Sequence, residues 1–279
     1  MQEQPIVRLG DRRYRVERKW ARLPEGQSFG FVSDVAVDSR GRVYAGQRCD
    51  PPVHVWDREG TYIGSWGDGQ VLDVHGMSAC AEDRIFVTDR AAHQVLVFDP
   101  QGRRLMALGA RHEPRFQAPF NAPTGVALAP DGEIYVADGY GNSMVHRFSA
   151  EGALKRSWGR PGSGPGEFST PHALWIDQRD RVLVLDREND RVQIFDRDGD
   201  YLDEWRGLFR PMGIYGDARG MIFVSDQVPR ISMFDPDGEL VGRCQGAVNG
   251  AHGLWGDAAG NLYLSELPPE QITRLALIA

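Results

Sequence analysis

The chain has 279 residues, of which 41% are hydrophobic and 25% charged, a balance that supports a packed core and excludes a wholly disordered chain. Its net charge of −7 is the wrong sign for a phosphate-reading surface, so nucleic acid is not an expected partner. With 33 glycines and 17 prolines, the composition favours many turns over long helices.

No apolar stretch approaches the roughly 18 residues that cross a bilayer, and no membrane partner is expected. The start, Met1-Gln2-Glu3-Gln4-Pro5, does not read as a secretory leader. Three scattered cysteines, Cys49, Cys80 and Cys244, do not make a disulfide framework, and the expected compartment is the reducing cytoplasm.

One pattern recurs along the chain: an apolar strand, an Asp/Gly turn, a β-branched strand ending in an acid, a loop, and a strand ending near an aromatic. The first copy predicts strands over 43–46 and 53–57, the second over 85–89 and 95–99, and the third over 134–138 and 145–149. The fourth predicts 182–186 and 192–196, the fifth 222–226 and 231–235, and the sixth 262–266 and 272–275. A further strand follows in most copies and closes twice on Trp-Gly, at Trp66-Gly67 and Trp158-Gly159. The copies repeat every 40 to 50 residues or so, the length of a four-stranded propeller blade. The sixth copy lacks its outer strand, and residues 14–20 can supply it from the N-terminal side. That exchange leaves no open edge. The expected fold is all-β, a single six-bladed β-propeller domain over 1–279 whose ring is closed by an N-terminal strand.

The repeat gives positions meaning. The residues that open the first strands are Ser33, His75, Thr124, His172, Met212 and His252. First strands line a propeller's channel, so three histidines in alternate blades should converge on the axis as a zinc site with an open fourth position. The competing reading, three imidazoles capping strands or filling the channel with water, treats their equivalence as chance. His54, His93, His112 and His146 share no such position and read as structural or surface residues. No CxxC spacing supports a cysteine zinc site.

In an antiparallel blade the second strand ends on the face where the first begins. The loops after the second strands carry Arg48, Arg90, Gly139-Tyr140-Gly141-Asn142, Arg187-Glu188-Asn189 and Gln227. A metal, guanidinium groups and a phenol on one face predict a small anionic or amide substrate and metal-assisted proton transfer. Arg90 is expected to pair with an acid such as Asp89, while Arg48 and Arg187 are expected to act on substrate.

The chain resembles the peptidyl-α-hydroxyglycine α-amidating lyase family, built on NHL-type repeats. The segments that carry the resemblance run from about Val32 to Leu275. They include Gln47-Arg48, His54-Val55-Trp56-Asp57, His75-Gly76, Val87-Thr88-Asp89, His93-Gln94-Val95, Asp138-Gly139-Tyr140, Gly166-Glu167-Phe168-Ser169, Pro171-His172, Asp186-Arg187-Glu188-Asn189 and Ala251-His252. The resemblance implies zinc on His75, His172 and His252, a catalytic tyrosine at Tyr140 and active-site arginines at Arg48 and Arg187. It also implies lyase chemistry that splits an N-acyl α-hydroxyglycine into an amide and glyoxylate. Secreted members have a cysteine where this chain has Gly141, and an acidic calcium ligand where it has Gly253; the latter argues against a structural calcium. A zinc hydrolase of an amide, imide or lactone, and a non-catalytic NHL-repeat binding module, are the competing expectations.

Overall fold

The structure, a computed structural model, describes residues 4–245 and 248–278. Met1, Gln2 and Glu3 of the sequence start, and Ala279 at its end, lie outside the described residues. Six antiparallel sheets form the ring, a six-bladed β-propeller. Their inner strands are Val32–Val37, Val74–Ala79, Gly125–Leu128, Pro171–Ile176, Pro211–Gly216 and Ala251–Gly256. Among the described residues the helical content is one 3-10 turn, Arg187–Asn189. No helix is long and apolar enough to cross a membrane.

The second strands show why this sequence makes blades. Val43–Gln47, Ile85–Asp89, Ile134–Asp138, Val182–Asp186, Ile222–Asp226 and Leu262–Glu266 are buried at every position. Each is covered on both faces by neighbouring blades, which selects a continuous apolar run over alternation. The core therefore lies between blades. Phe86, Val95 and Val97 of the second blade pack with Val126, Ile134 and Phe148 of the third, for example. Outer strands alternate in exposure, as in Tyr62–Trp66, because one side meets solvent.

Third strands stop one residue earlier than the sequence suggests, at Trp56, Phe98, Phe148, Phe195 and Phe234. The following residue belongs to a turn. Asp99 Oδ1, for instance, accepts hydrogen bonds from the backbone N–H groups of Gln101 and Arg103 at 3.0 and 2.9 Å, a local bond that competes with the ladder. Gly102, at φ 82°, lies under Trp66, whose ring a Cβ there would meet at 2.4 Å.

The ring closes as expected. Arg12–Glu17 pairs antiparallel with Gln271–Leu277, Tyr14 opposite Leu277 and Glu17 opposite Arg274. It starts before the predicted boundary and ends at Glu17, leaving Trp20 outside the strand to donate its backbone N–H to Ile272. Ile6–Leu9 then adds a fifth strand to the sixth blade. The repeat could not show it, because no other blade has one.

Candidate metal centre and its open face

His75, His172 and His252 each stand second in an inner strand, with side chains exposed by only 1, 2 and 8%. Their ring centroids are 4.8 to 5.0 Å apart, close to three-fold symmetry. One candidate ligand atom from each lies within 4.8 Å of the others. The other nitrogen is tied down: Nδ1 of His75 reaches Thr124 O at 2.6 Å, that of His172 reaches Met212 O at 2.8 Å, and that of His252 reaches Ser33 O at 2.7 Å. A carbonyl can only accept, so each Nδ1 carries the proton and each Nε2 keeps its lone pair. The carbonyls come from the same repeat position in the following blade. The six channel positions thus form three donor–acceptor pairs that orient three imidazoles at once.

Burial, reinforced by the neighbouring histidines and by Arg48, pushes the pKa values of His75 and His172 well below the usual imidazole range. Burial and Arg48 bring His252 to about 3. Neutral imidazoles with fixed tautomers and converging lone pairs fit a transition-metal ion, zinc among them. The cluster can hold a metal.

The channel behind the centre is nearly filled. Its cavity is about 30 Å³, lined by Met77, Leu174, Trp175, Leu254 and Trp255 among others, space for about one water. Anything larger than a water has room to reach the centre only from the opposite face.

On that face the loops expected to overlook the histidines do so. Tyr140, 37% exposed, points its Oη at the centre, 3.0 Å from His75 Nε2 and 3.5 Å from His172 Nε2. Arg187 NH1 donates to the same oxygen at 3.2 Å. The guanidinium groups of Arg90 and Arg187 flank the phenol ring at 5.5 and 5.4 Å. Arg48 lies 4.0 Å over the Phe31 ring, and burial together with Arg90 lowers its pKa.

The acids that hold these arginines differ from those expected. Arg90 pairs with Asp73, Nε at 2.8 Å and NH2 at 2.6 Å. Asp89 instead accepts backbone N–H bonds from Leu72, Asp73 and Ala92. Arg187 turns Nε and NH2 to Glu188 Oε1, at 2.9 and 2.8 Å, and Asp186 pairs with Arg191. Asp73 also lies 3.3 Å from Arg48 Nε, an ion pair whose angle makes no hydrogen bond. Asp73 escaped the sequence reading because it precedes an inner strand, whereas the candidate loops followed second strands. Its place two residues before His75 was the available signal.

The remaining histidines are tied into the blades. His146 bridges Asp138 and Ser157, His54 bridges Gln47 and Tyr62, and His93 accepts from Ala122 N–H. His112 is exposed beside Arg111. Cys49, Cys80 and Cys244 are free thiols. Asn121 fills the space a side chain at Gly141 would need, and the two residues exchange backbone and side-chain hydrogen bonds.

At Gly253 an added Cβ would meet Asp34 Oδ1 at 1.9 Å. The acid in this part of the channel thus comes from the first blade. Burial raises the Asp34 pKa to about 7 against the pull of the Met77 and Val35 backbone N–H groups. Between about pH 4 and that value, folded Asp34 keeps a proton that the unfolded chain has released. Its contribution to stability therefore falls as pH rises, by up to about 1.4 kcal/mol per pH unit, and levels off above the folded pKa. Urea unfolding of wild type and Asp34→Asn at several pH values should show their stability difference changing with that sign. A constant difference would contradict the assignment.

Comparison with known proteins agrees with this architecture. Residues 125–214 match a family model described as a 6-bladed beta-propeller. Peptidylglycine alpha-amidating monooxygenase of Rattus norvegicus is 34% identical over 197 residues, covering 57% of this chain and 20% of that protein. A probable peptidyl-alpha-hydroxyglycine alpha-amidating lyase of Caenorhabditis elegans is 32% identical over 194 residues, 58% of this chain and 55% of the relative. Human NHL repeat-containing protein 3 is 32% identical over 216 residues, 72% of this chain and 62% of that protein. The chain therefore spans a fifth of the rat protein and just over half of the nematode one. A solved gluconolactonase from Xanthomonas campestris superposes with a TM-score of 0.72 at 18% identity, covering 100% of this chain and 96% of the other; at that identity the likeness concerns the fold. This chain is a six-bladed β-propeller related in sequence to the peptidyl-α-hydroxyglycine α-amidating lyases and to NHL repeat-containing protein 3.

Proposed function

We propose that the chain is a zinc-dependent lyase that cleaves the C–N bond of a small N-acyl α-hydroxyglycine, releasing an amide and glyoxylate. The observation that carries this reading is the position of Tyr140 Oη, within hydrogen-bond reach of His75 Nε2, His172 Nε2 and Arg187 NH1 together. The related amidating lyases support the reaction class. Three free thiols support the accompanying proposal of a reducing compartment.

His75, His172 and His252 would hold the zinc, which when bound would supply Lewis acidity toward the substrate hydroxyl. Tyr140, acting as the phenolate, takes the hydroxyl proton at Oη and returns it to the departing amide nitrogen. The O–H and C–N bonds break while the C=O and new N–H bonds form, with no water consumed. Arg187 steadies the phenol oxygen through NH1, its other donors being engaged by Glu188. Arg48 approaches Asp73 most closely through Nε, without a hydrogen bond there, and its terminal nitrogens take the substrate carboxylate as a fork.

The two arginines therefore fail differently when changed to lysine. Arg48→Lys should raise KM by roughly tenfold or more, since an ammonium cannot make two parallel bonds. Arg187→Lys should act mainly on kcat. Replacing the substrate carboxylate by a carboxamide should penalise wild type far more than Arg48→Lys. Equal turnover of acid and carboxamide by wild type would remove Arg48 from carboxylate binding.

A further inference from the structure

Beside Tyr140, between the third and fourth blades, lies a cavity of about 420 Å³ that no step of the proposed reaction uses. Its walls include Phe116, Tyr140, Ser163 and Thr170, over the backbone of Gly139 and Gly141. Phe116 is 78% exposed, the greatest exposure among the large hydrophobic residues described.

The loop carrying that ring is built. Buried Asn142 donates Nδ2 to Arg115 O at 2.9 Å and to Ala118 O at 3.2 Å, and its Oδ1 accepts Gln117 N–H at 2.9 Å. Arg115 N–H also bonds to Phe120 O at 3.0 Å. The backbone is thus pinned on both sides of an aromatic side chain left in water. Pinning a loop while leaving its aromatic ring uncovered is the arrangement expected of a ligand contact.

We infer that this cavity receives the acyl half of the substrate and that Phe116 selects acyl groups bearing an aromatic or bulky apolar substituent. The inference rests on the lyase reading of the centre. Tyr140 belongs to both regions, with its oxygen at the histidines and the residue among those that line the cavity. Arg48, paired with Asp73, lies toward the first two blades. A substrate with its carboxylate on Arg48 and its reacting carbon under Tyr140 Oη therefore extends its acyl group toward Phe116. The hydroxyls of Ser163 and Thr170 suit the polar amide end of that group, and the Phe116 ring suits its apolar end.

Binding of unreactive analogues tests the subsite apart from catalysis. N-phenylacetylglycine and N-acetylglycine have the carboxylate and the acyl amide but no hydroxyl to cleave. Calorimetry on the purified protein should show the phenylacetyl compound binding roughly tenfold or more tightly, as burial of one ring predicts. Phe116→Ala should reduce that ratio to about threefold or less, and Phe116→Tyr should retain it. Failure of N-phenylacetylglycine to bind, equal affinity for the two glycines, or a ratio unaltered in Phe116→Ala, would overturn the subsite. Turnover of an N-acyl α-hydroxyglycine with an unaltered ratio would leave the lyase reading standing and remove only Phe116 from it.

Discussion

His172→Ala is expected to lose most of its zinc to a chelator that leaves wild type loaded, and to lose its lyase activity with it. Three imidazoles with fixed tautomers form the centre, and two seldom retain zinc. The loss should exceed that of a carbonyl partner because it deletes a donor atom. Met212 and Thr124 supply backbone oxygens to His172 and His75, so changing their side chains leaves those hydrogen bonds available. Metal analysis after dialysis against chelator, with circular dichroism to confirm folding, reads the result. Full occupancy in a His75→Ala/His172→Ala double variant would show that the histidines are not the ligands.

Tyr140→Phe should fold and bind zinc as wild type does, yet turn over substrate about 100-fold or more slowly, the usual scale for losing a positioned acid–base group. The change deletes one oxygen and keeps the ring beside the Arg90 and Arg187 guanidinium groups. A phenol that merely packed at the channel mouth would be nearly indifferent to it. Steady-state kinetics on metal-loaded protein separates the two, and a rate within about threefold of wild type would remove Tyr140 from the mechanism. Arg187→Lys should reproduce part of this loss, because it removes the NH1 contact to Tyr140 Oη.

The ring was legible in the sequence because each blade repeats the same burial requirement. The second strands of all six blades are buried end to end, and the apolar runs at 43–46, 85–89, 134–138, 182–186, 222–226 and 262–266 record it. The convergence of His75, His172 and His252 was legible for the same reason: equivalent positions in a closed ring point to one axis. What repeats do not encode was lost. Ile6–Leu9 pairs in one blade only. Asp73 reaches Arg48 and Arg90 across loops whose lengths differ between blades. The Phe116 loop is an insertion pinned by Asn142, and no periodicity marks it. Asp34 at the Gly253 position shows the same limit, since the channel was filled by exchanging a side chain between adjacent blades.

Turnover of an N-acyl α-hydroxyglycine by zinc-loaded protein in heavy-oxygen water tests the central claim most directly. The lyase reading predicts equal amounts of amide and glyoxylate, with no solvent oxygen in the amide carbonyl, because water takes no part in breaking the C–N bond. A carboxylic acid carrying solvent oxygen, or no turnover by protein shown to hold zinc on the three histidines, would contradict it.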